Sequence, residues 1–168
     1  MSEQLPETAD FLKQAERNVS LEGDYPLVRL ERLSAALCDT GDELHARLNF
    51  GDSAGFRCLQ GTVEASLKLI CQRCMSPMGH KVSGRFKFGL VLDEEEIQEL
   101  PADLEPYLIE GDEQSIIDLL EDELLLSLPI AAMHQEECSE FLKKHNEQKQ
   151  AEKEASSPFA VLKGMKVD

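Results

Sequence analysis

Alternating apolar and polar residues in the middle of the chain predict a β-sheet. The alternation over residues 44–50 predicts a half-buried strand that ends at Gly51. A cluster of turn-forming residues follows, made up of Asp52, Ser53 and Gly55. A second strand is predicted over residues 56–61, and residues 63–69 continue the same alternation.

The clearest strand lies at residues 82–92, where apolar and polar residues alternate throughout. Pairing it with residues 62–70 gives a hairpin, and strands this close in sequence pair most readily as an antiparallel meander. Residues 93–105 form an acidic connection that contains proline, and residues 107–110 are a candidate for one more short strand.

Two helices are predicted before these strands. Residues 7–17 form a short helix, followed by a polar break at Gly23 and Asp24. Leucines recur at helical spacing over residues 26–37, and Pro26 suits the first helical position. The second helix is therefore expected to be amphipathic.

A third helix is predicted over residues 115–128 and ends at Pro129. Its apolar side chains are expected to face the core: Ile116, Leu119, Leu120, Leu124 and Leu128. The carboxylates of Asp118, Glu121 and Asp122 are expected to point largely away from it.

Together these elements predict an α+β fold, in which an antiparallel meander or partial barrel is packed by two or three helices. The 168 residues suit one domain, predicted over residues 1–142. Residues 143–157 have no apolar face and predict a flexible charged linker, and residues 158–168 hold a small apolar patch. With no apolar run long enough for a membrane span and a polar start, we expect a soluble cytoplasmic chain that does not use a membrane.

The charge of the chain is concentrated in one block. Of its 33 acidic residues, 17 lie between Asp93 and Glu140, a stretch with no Lys or Arg. Such a block repels nucleic acid and attracts basic partners such as a basic ribosomal protein, with Asp118, Glu121 and Asp122 as candidate partner-binding residues. The alternative is a surface that only keeps the protein in solution.

Five basic residues without an acidic one lie between Ala65 and Leu92. They are Lys68, Arg73, Lys81, Arg85 and Lys87. Lys81, Arg85 and Lys87 share one face of the predicted strand, with Lys81 just before its start. The hairpin therefore presents a positive stripe that suits RNA phosphates. A solvated strand face is the competing interpretation, since no aromatic residue lies on that face to stack on bases.

Four residues form a candidate metal site. Cys71 and Cys74 are two residues apart at the tip of the predicted hairpin, as in a zinc knuckle, and His134 and Cys138 supply a second pair. Three thiolates and one imidazole make a complete ligand set for zinc, provided that the two pairs meet in space. Ordinary reduced thiols at a turn are the alternative.

Dithiol redox chemistry is a further interpretation of the Cys71 and Cys74 pair. Thioredoxin-type pairs place the first cysteine at the N-terminus of a helix, which lowers its pKa. Here Pro77 and Gly79 follow, and then a strand, so that helix is missing. No phosphate-binding loop, nucleotide-binding glycine pattern or catalytic histidine set is present in the sequence.

Five segments together resemble one bacterial family. They are the CQRC sequence with Pro77, the segment from Leu100 to Glu110, the segment from Ile117 to Ile130, the pair of His134 and Cys138, and the PFAVL sequence at 158–162. Their order and spacing are similar to those of the large ribosomal RNA subunit accumulation proteins, the YceD family, over roughly residues 60–165.

The resemblance implies a non-enzymatic role in 23S ribosomal RNA accumulation and large-subunit biogenesis. It also implies a basic ribosomal protein as partner, because the family's gene is commonly a neighbour of one for a small zinc-ribbon protein of the large subunit. Many relatives carry cysteine-rich second pairs where this chain has His134 and Cys138, which implies a metal or thiol cluster. An escort of a basic ribosomal protein that never touches RNA, and a thiol redox protein, are the alternatives.

Overall fold

The computed structural model describes residues 5–139 together with 143, 144 and 149. Its strands and helices follow the chain in this order: β1 (Thr8–Ala9), α1 (Phe11–Glu16), β2 (Ser20–Pro26), a 3-10 turn (Leu27–Arg29), α2 (Glu31–Ser34), β3 (Glu43–Ser53), β4 (Phe56–Ile70), β5 (Pro77–Val91), α3 (Glu94–Ile97), β6 (Glu105–Leu108), β7 (Gln114–Ser115) and α4 (Ile116–Leu126). The predicted α+β class is confirmed.

The main sheet has the strand order β2-β3-β4-β5-β6 and is open, with β2 and β6 at its edges. From β2 to β5 all neighbours are antiparallel, as the meander prediction required. The remaining strand of this sheet, β6, runs parallel to β5. The chain from 92 to 104 first returns to the level of Phe88, so β6 then runs in the same direction as β5. The short strands β1 and β7 pair separately.

The predicted strands are longer than the alternation suggested. Residues 56–61 and 63–69 belong to one continuous strand, β4, and β5 begins at Pro77 rather than at residue 82. The turn after β3 is a two-residue hairpin loop in which Ala54 and Gly55 both have positive φ. Asp52 accepts a hydrogen bond from the Gly55 backbone N–H, 3.1 Å away, which closes this turn.

The predicted helix at 26–37 is wrong. Leu27, Leu30 and Leu33 are fully buried, but a 3-10 turn followed by the single turn of α2 satisfies their spacing. Pro26 ends β2 opposite Glu43. The polar break predicted at Gly23 and Asp24 is also wrong, because both residues lie within β2.

The core lies between one face of the sheet and the helices. Side chains at alternate positions of β3, β4 and β5 point into it, including Leu48, Val63 and Phe86. Phe11 of α1 packs edge-on against Phe50, with ring centroids 5.2 Å apart. Gly84 brings α4 close to the sheet, since a Cβ there would lie 3.6 Å from the Cβ of Glu123.

The opposite, outer face of β2–β5 is exposed and polar, and this surface is called the outer face below. Among the described residues, no helix is long and apolar enough to cross a membrane. Most of the predicted linker at 143–157, and all of the apolar patch at 158–168, lie outside the described residues.

Candidate functional site

The two pairs of candidate metal ligands meet. Their ligand atoms all lie within 4.8 Å of one another, although the pairs are about 60 residues apart in sequence. Cys71 Sγ is 3.7 Å from Cys138 Sγ, and Cys74 Sγ is 3.4 Å from Nδ1 of His134. This group of four residues, called the Cys/His cluster below, is able to hold a metal ion.

The turn between β4 and β5 positions the first pair. The backbone N–H of Cys71 donates to the carbonyl of Ser76 (2.9 Å), and the N–H of Met75 donates to the carbonyl of Cys71 (2.8 Å). Met75 has a φ of 60°, a left-handed conformation that reverses the chain immediately after Cys74. The turn thereby directs both thiols to the same side.

The segment after α4 brings the second pair to this turn. The backbone N–H of Gln72 donates to the carbonyl of Ala132 over 2.8 Å. The guanidinium of Arg73 donates to the carbonyl of His134 (2.9 Å), to the carbonyl of Glu136 and to Cys138 Sγ (3.3 Å). Arg73, which the sequence suggested as an RNA contact, therefore bridges the two halves of the cluster.

The electrostatics of the cluster favour a thiolate at Cys71. Burial alone would raise the pKa of this thiol, but hydrogen bonds from the backbone N–H groups of Cys74, His134 and Arg73 lower it to about 5. The pKa of Cys138 is raised, because burial and the neighbouring thiols outweigh its hydrogen bond from Arg73. A cation placed among these sulfurs would favour the thiolate at every one of them.

The two remaining cysteines lie elsewhere. Cys58 is buried on β4, and burial raises the pKa of its thiol. Cys38 is exposed, and its Sγ contacts the carbonyl of Lys68 at 3.2 Å. Cys71 lies in a turn rather than at the start of a helix, so the arrangement that activates thioredoxin-type cysteines is not found here.

Four of the five residues of the predicted basic stripe lie on the outer face, Arg73 being the exception, and two of these four form ion pairs. Lys68 pairs with Asp39, and Lys87 pairs with Asp103. Neither acidic partner could be identified from the sequence, because each comes from a connection outside the hairpin.

Lys81 and Arg85 remain as exposed cations on β5. Within the described part of the chain, neither residue has an ion pair. In the sheet, Lys81 lies opposite Ser66 of β4, and Arg85 lies opposite Thr62. The far side of the outer face differs, since Arg47 forms two hydrogen bonds with Glu22 there. The free positive charge of the described outer face is therefore concentrated on β5.

The acidic helix α4 lies on the other side of the sheet. Asp118 and Asp122 are exposed, as predicted, but the prediction that Glu121 faces away from the core is wrong, because its side chain is only 5% exposed. Glu121 accepts hydrogen bonds from Arg32 Nε (2.8 Å) and from the backbone N–H of Leu33 (3.0 Å). Asp122 also pairs with Arg32.

Comparison with known proteins points to one family. The model of the family described as large ribosomal RNA subunit accumulation protein YceD matches residues 59–166, which include the whole Cys/His cluster. A curated relative with that description, from Haemophilus influenzae, is 32% identical over 169 residues, and the alignment covers 96% of each chain. No solved structure matches the chain significantly.

Proposed function

Because the chain belongs to the YceD family of large ribosomal RNA subunit accumulation proteins, we propose that it supports accumulation of 23S ribosomal RNA during large-subunit biogenesis. It acts in the cytoplasm by binding rather than by catalysis. The description of the Haemophilus relative names accumulation of the large ribosomal RNA subunit. The charges on the two sides of the sheet supply two candidate binding surfaces.

The first surface is the β5 side of the outer face, and Lys81 and Arg85 are its proposed RNA contacts. Both are exposed and, among the described residues, have no acidic partner. A cation that already pairs with a carboxylate must break that pair before it neutralises a phosphate, so Lys68 and Lys87 are expected to contribute less. Contacts of this kind bind the RNA backbone without sequence preference.

Titration of labelled 23S ribosomal RNA at several salt concentrations tests this surface. The Lys81→Ala/Arg85→Ala variant is expected to bind more weakly and to flatten the salt dependence by about 0.7–0.9 per lost phosphate contact. Lys13→Ala/Arg17→Ala removes the same charge from the region of α1 and is the matched control. Wild-type protein that binds no RNA, or equal losses in both variants, would remove RNA contact from the proposal.

A second candidate function, the escort of a basic ribosomal protein, is favoured by the acidic block from Asp93 to Glu140. Exposed carboxylates of this block include Asp118 and Asp122 on α4 and Glu94 and Glu95 of α3. Since Glu121 is buried and hydrogen-bonded within the chain, it is expected to hold α2 against α4 rather than to contact a partner.

Binding of a purified basic large-subunit protein separates the escort function from RNA contact. The Glu94→Gln/Glu95→Gln/Asp118→Asn variant is expected to lose affinity for such a protein and to keep its affinity for RNA. Equal binding by the wild type and this variant would exclude these carboxylates as the partner surface.

A further inference from the structure

Two of the six distances between ligand atoms of the Cys/His cluster match the edges of a tetrahedron around one zinc ion, and all six are within 4.8 Å. Zinc lies about 2.3 Å from sulfur and about 2.0–2.1 Å from imidazole nitrogen, so tetrahedral angles place two sulfurs about 3.8 Å apart and a sulfur and a nitrogen about 3.5 Å apart. The Cys71 to Cys138 distance is 3.7 Å, and the Cys74 to His134 distance is 3.4 Å. Each pair joins one ligand from the hairpin turn to one from the segment after α4.

We propose that Cys71, Cys74, His134 and Cys138 form a structural site for one zinc ion, which fastens the segment after α4 to the turn between β4 and β5. Three cysteines and one histidine complete the four-coordinate shell of zinc and leave no position for a substrate, as in structural rather than catalytic sites. The soft sulfur ligands also disfavour magnesium and calcium. This site stands independently of the proposed ribosomal role.

The surroundings of the cluster suit the charge of such a site. Three thiolates and a neutral imidazole around Zn²⁺ leave a net charge of about −1, by formal charges. The guanidinium of Arg73 supplies one positive charge, and its Nε already donates to Cys138 Sγ at 3.3 Å. Hydrogen bonds of this kind to the ligands orient them and stabilise the thiolate form.

The ion would strengthen the attachment of a segment that buries little of its surface. Of the stretch from Ile130 to Ser139, only Ala132 is buried, and Ile130 is fully exposed. Hydrogen bonds from Gln72 and Arg73 also attach it to the turn. Coordination by His134 and Cys138 would add two strong bonds to these contacts, so we expect the order of the segment to depend on the metal.

Metal analysis of the full chain, expressed with zinc and purified under reducing conditions, tests the site. We expect about one zinc per chain in the wild type and less than about a tenth in Cys71→Ser and in Cys138→Ser, by loss of ligands. Cys38→Ser is the matched control and should keep its zinc, because Cys38 lies outside the cluster. His134→Cys should also keep it, whereas His134→Ala should not.

Two measurements on the wild type keep the test valid if a variant fails to fold. Substitution with Co²⁺ should give thiolate charge-transfer bands and the intense visible bands of a tetrahedral site. Chelation should raise hydrogen exchange at residues 130–138 by about tenfold or more while β3 stays unchanged. Wild type without zinc, with iron instead, without the cobalt bands, or with unchanged exchange after chelation would overturn the proposal.

Discussion

At the scale of single residues, Gly61 leaves the space in the sheet that the ring of Phe86 occupies. A Cβ on Gly61 would lie 2.2 Å from Cζ of Phe86, its direct cross-strand partner. Phe86 is buried and stacks on Phe88 with ring centroids 5.2 Å apart, so the ring has little freedom to move. The position requires a residue without a side chain.

Gly61→Ala is therefore expected to destabilise the fold by about 1–3 kcal/mol, the usual cost of overpacking. Urea unfolding followed by circular dichroism measures it. Gly79→Ala is the control on the neighbouring strand, because a Cβ there meets nothing within 4 Å. Equal stability of Gly61→Ala and the wild type would show that Phe86 relaxes without cost.

The imidazole of His45 on the outer face has a raised pKa. Its Nδ1 lies 2.7 Å from Asp24 and its Nε2 lies 3.4 Å from Glu22, and the hydrogen bond with Asp24 is the largest cause. Glu64 lies directly across from it on β4. Two carboxylates thus contact the imidazole, and a third acidic residue is its neighbour in the sheet.

A raised folded pKa means that protonation of His45 stabilises the fold below the unfolded value of about 6.5, and that this stabilisation is lost as the pH rises through the folded pKa. NMR titration is expected to give a His45 pKa above 6.5 in the wild type. In Asp24→Asn the value should fall toward 6.5. A wild-type value at or below 6.5 would contradict this interpretation.

Glu121 shows where single residues escape prediction. Its position on α4 follows a helical pattern that placed it with the exposed Asp118 and Asp122. Its burial depends on Arg32, which is 89 residues away in sequence and approaches from α2. Local periodicity carries no information about a partner that arrives from another element.

At the scale of elements, the turn between β3 and β4 holds an alanine in a backbone conformation that is unfavourable for it. Ala54 and Gly55 both have positive φ, as the two central residues of a type I′ turn require. Glycine adopts this conformation freely, but alanine pays a steric penalty of about 1–2 kcal/mol there. Asparagine at the first position relieves much of that penalty.

Ala54→Asn is expected to stabilise the chain by about 0.5–1 kcal/mol, because Asn-Gly is the preferred sequence of this turn. Thermal unfolding measures the change. Ala54→Val should move the midpoint in the opposite direction, since a β-branched residue tolerates positive φ poorly. A lower midpoint for Ala54→Asn would show that the turn is held by contacts other than its backbone.

Strands β3 to β5 were largely predictable because period-two alternation directly reports a half-buried sheet. The helix predicted at 26–37 is wrong because three leucines at spacings of three fit a 3-10 turn as well as an α-helix. Pro26, the predicted start of the helix, instead ends β2, where it pairs with Glu43 of β3. The Cys/His cluster was predictable in its residue types. Its assembly depends on α4 returning the chain to the hairpin turn, which spacing alone does not specify.

At the scale of the whole molecule, the two sides of the sheet differ in charge. The outer face carries the exposed cations Lys81 and Arg85 together with acidic residues such as Glu22 and Glu64, whereas α4 on the other side carries acidic residues and no basic one. This difference permits the outer face to approach RNA while the helix side stays away from it or faces a basic protein. The net charge of −16 alone would have suggested a protein that avoids RNA altogether.

We propose that the chain supports accumulation of 23S ribosomal RNA through the charged outer face. The most direct test of this proposal is the ratio of 23S to 16S ribosomal RNA in a bacterium that lacks its own family member and expresses this chain. We expect the wild type and Lys13→Ala/Arg17→Ala to restore the ratio, and Lys81→Ala/Arg85→Ala at equal protein level to leave it low. A wild type that leaves the ratio unchanged, or a Lys81→Ala/Arg85→Ala variant that restores it fully, would contradict this proposal.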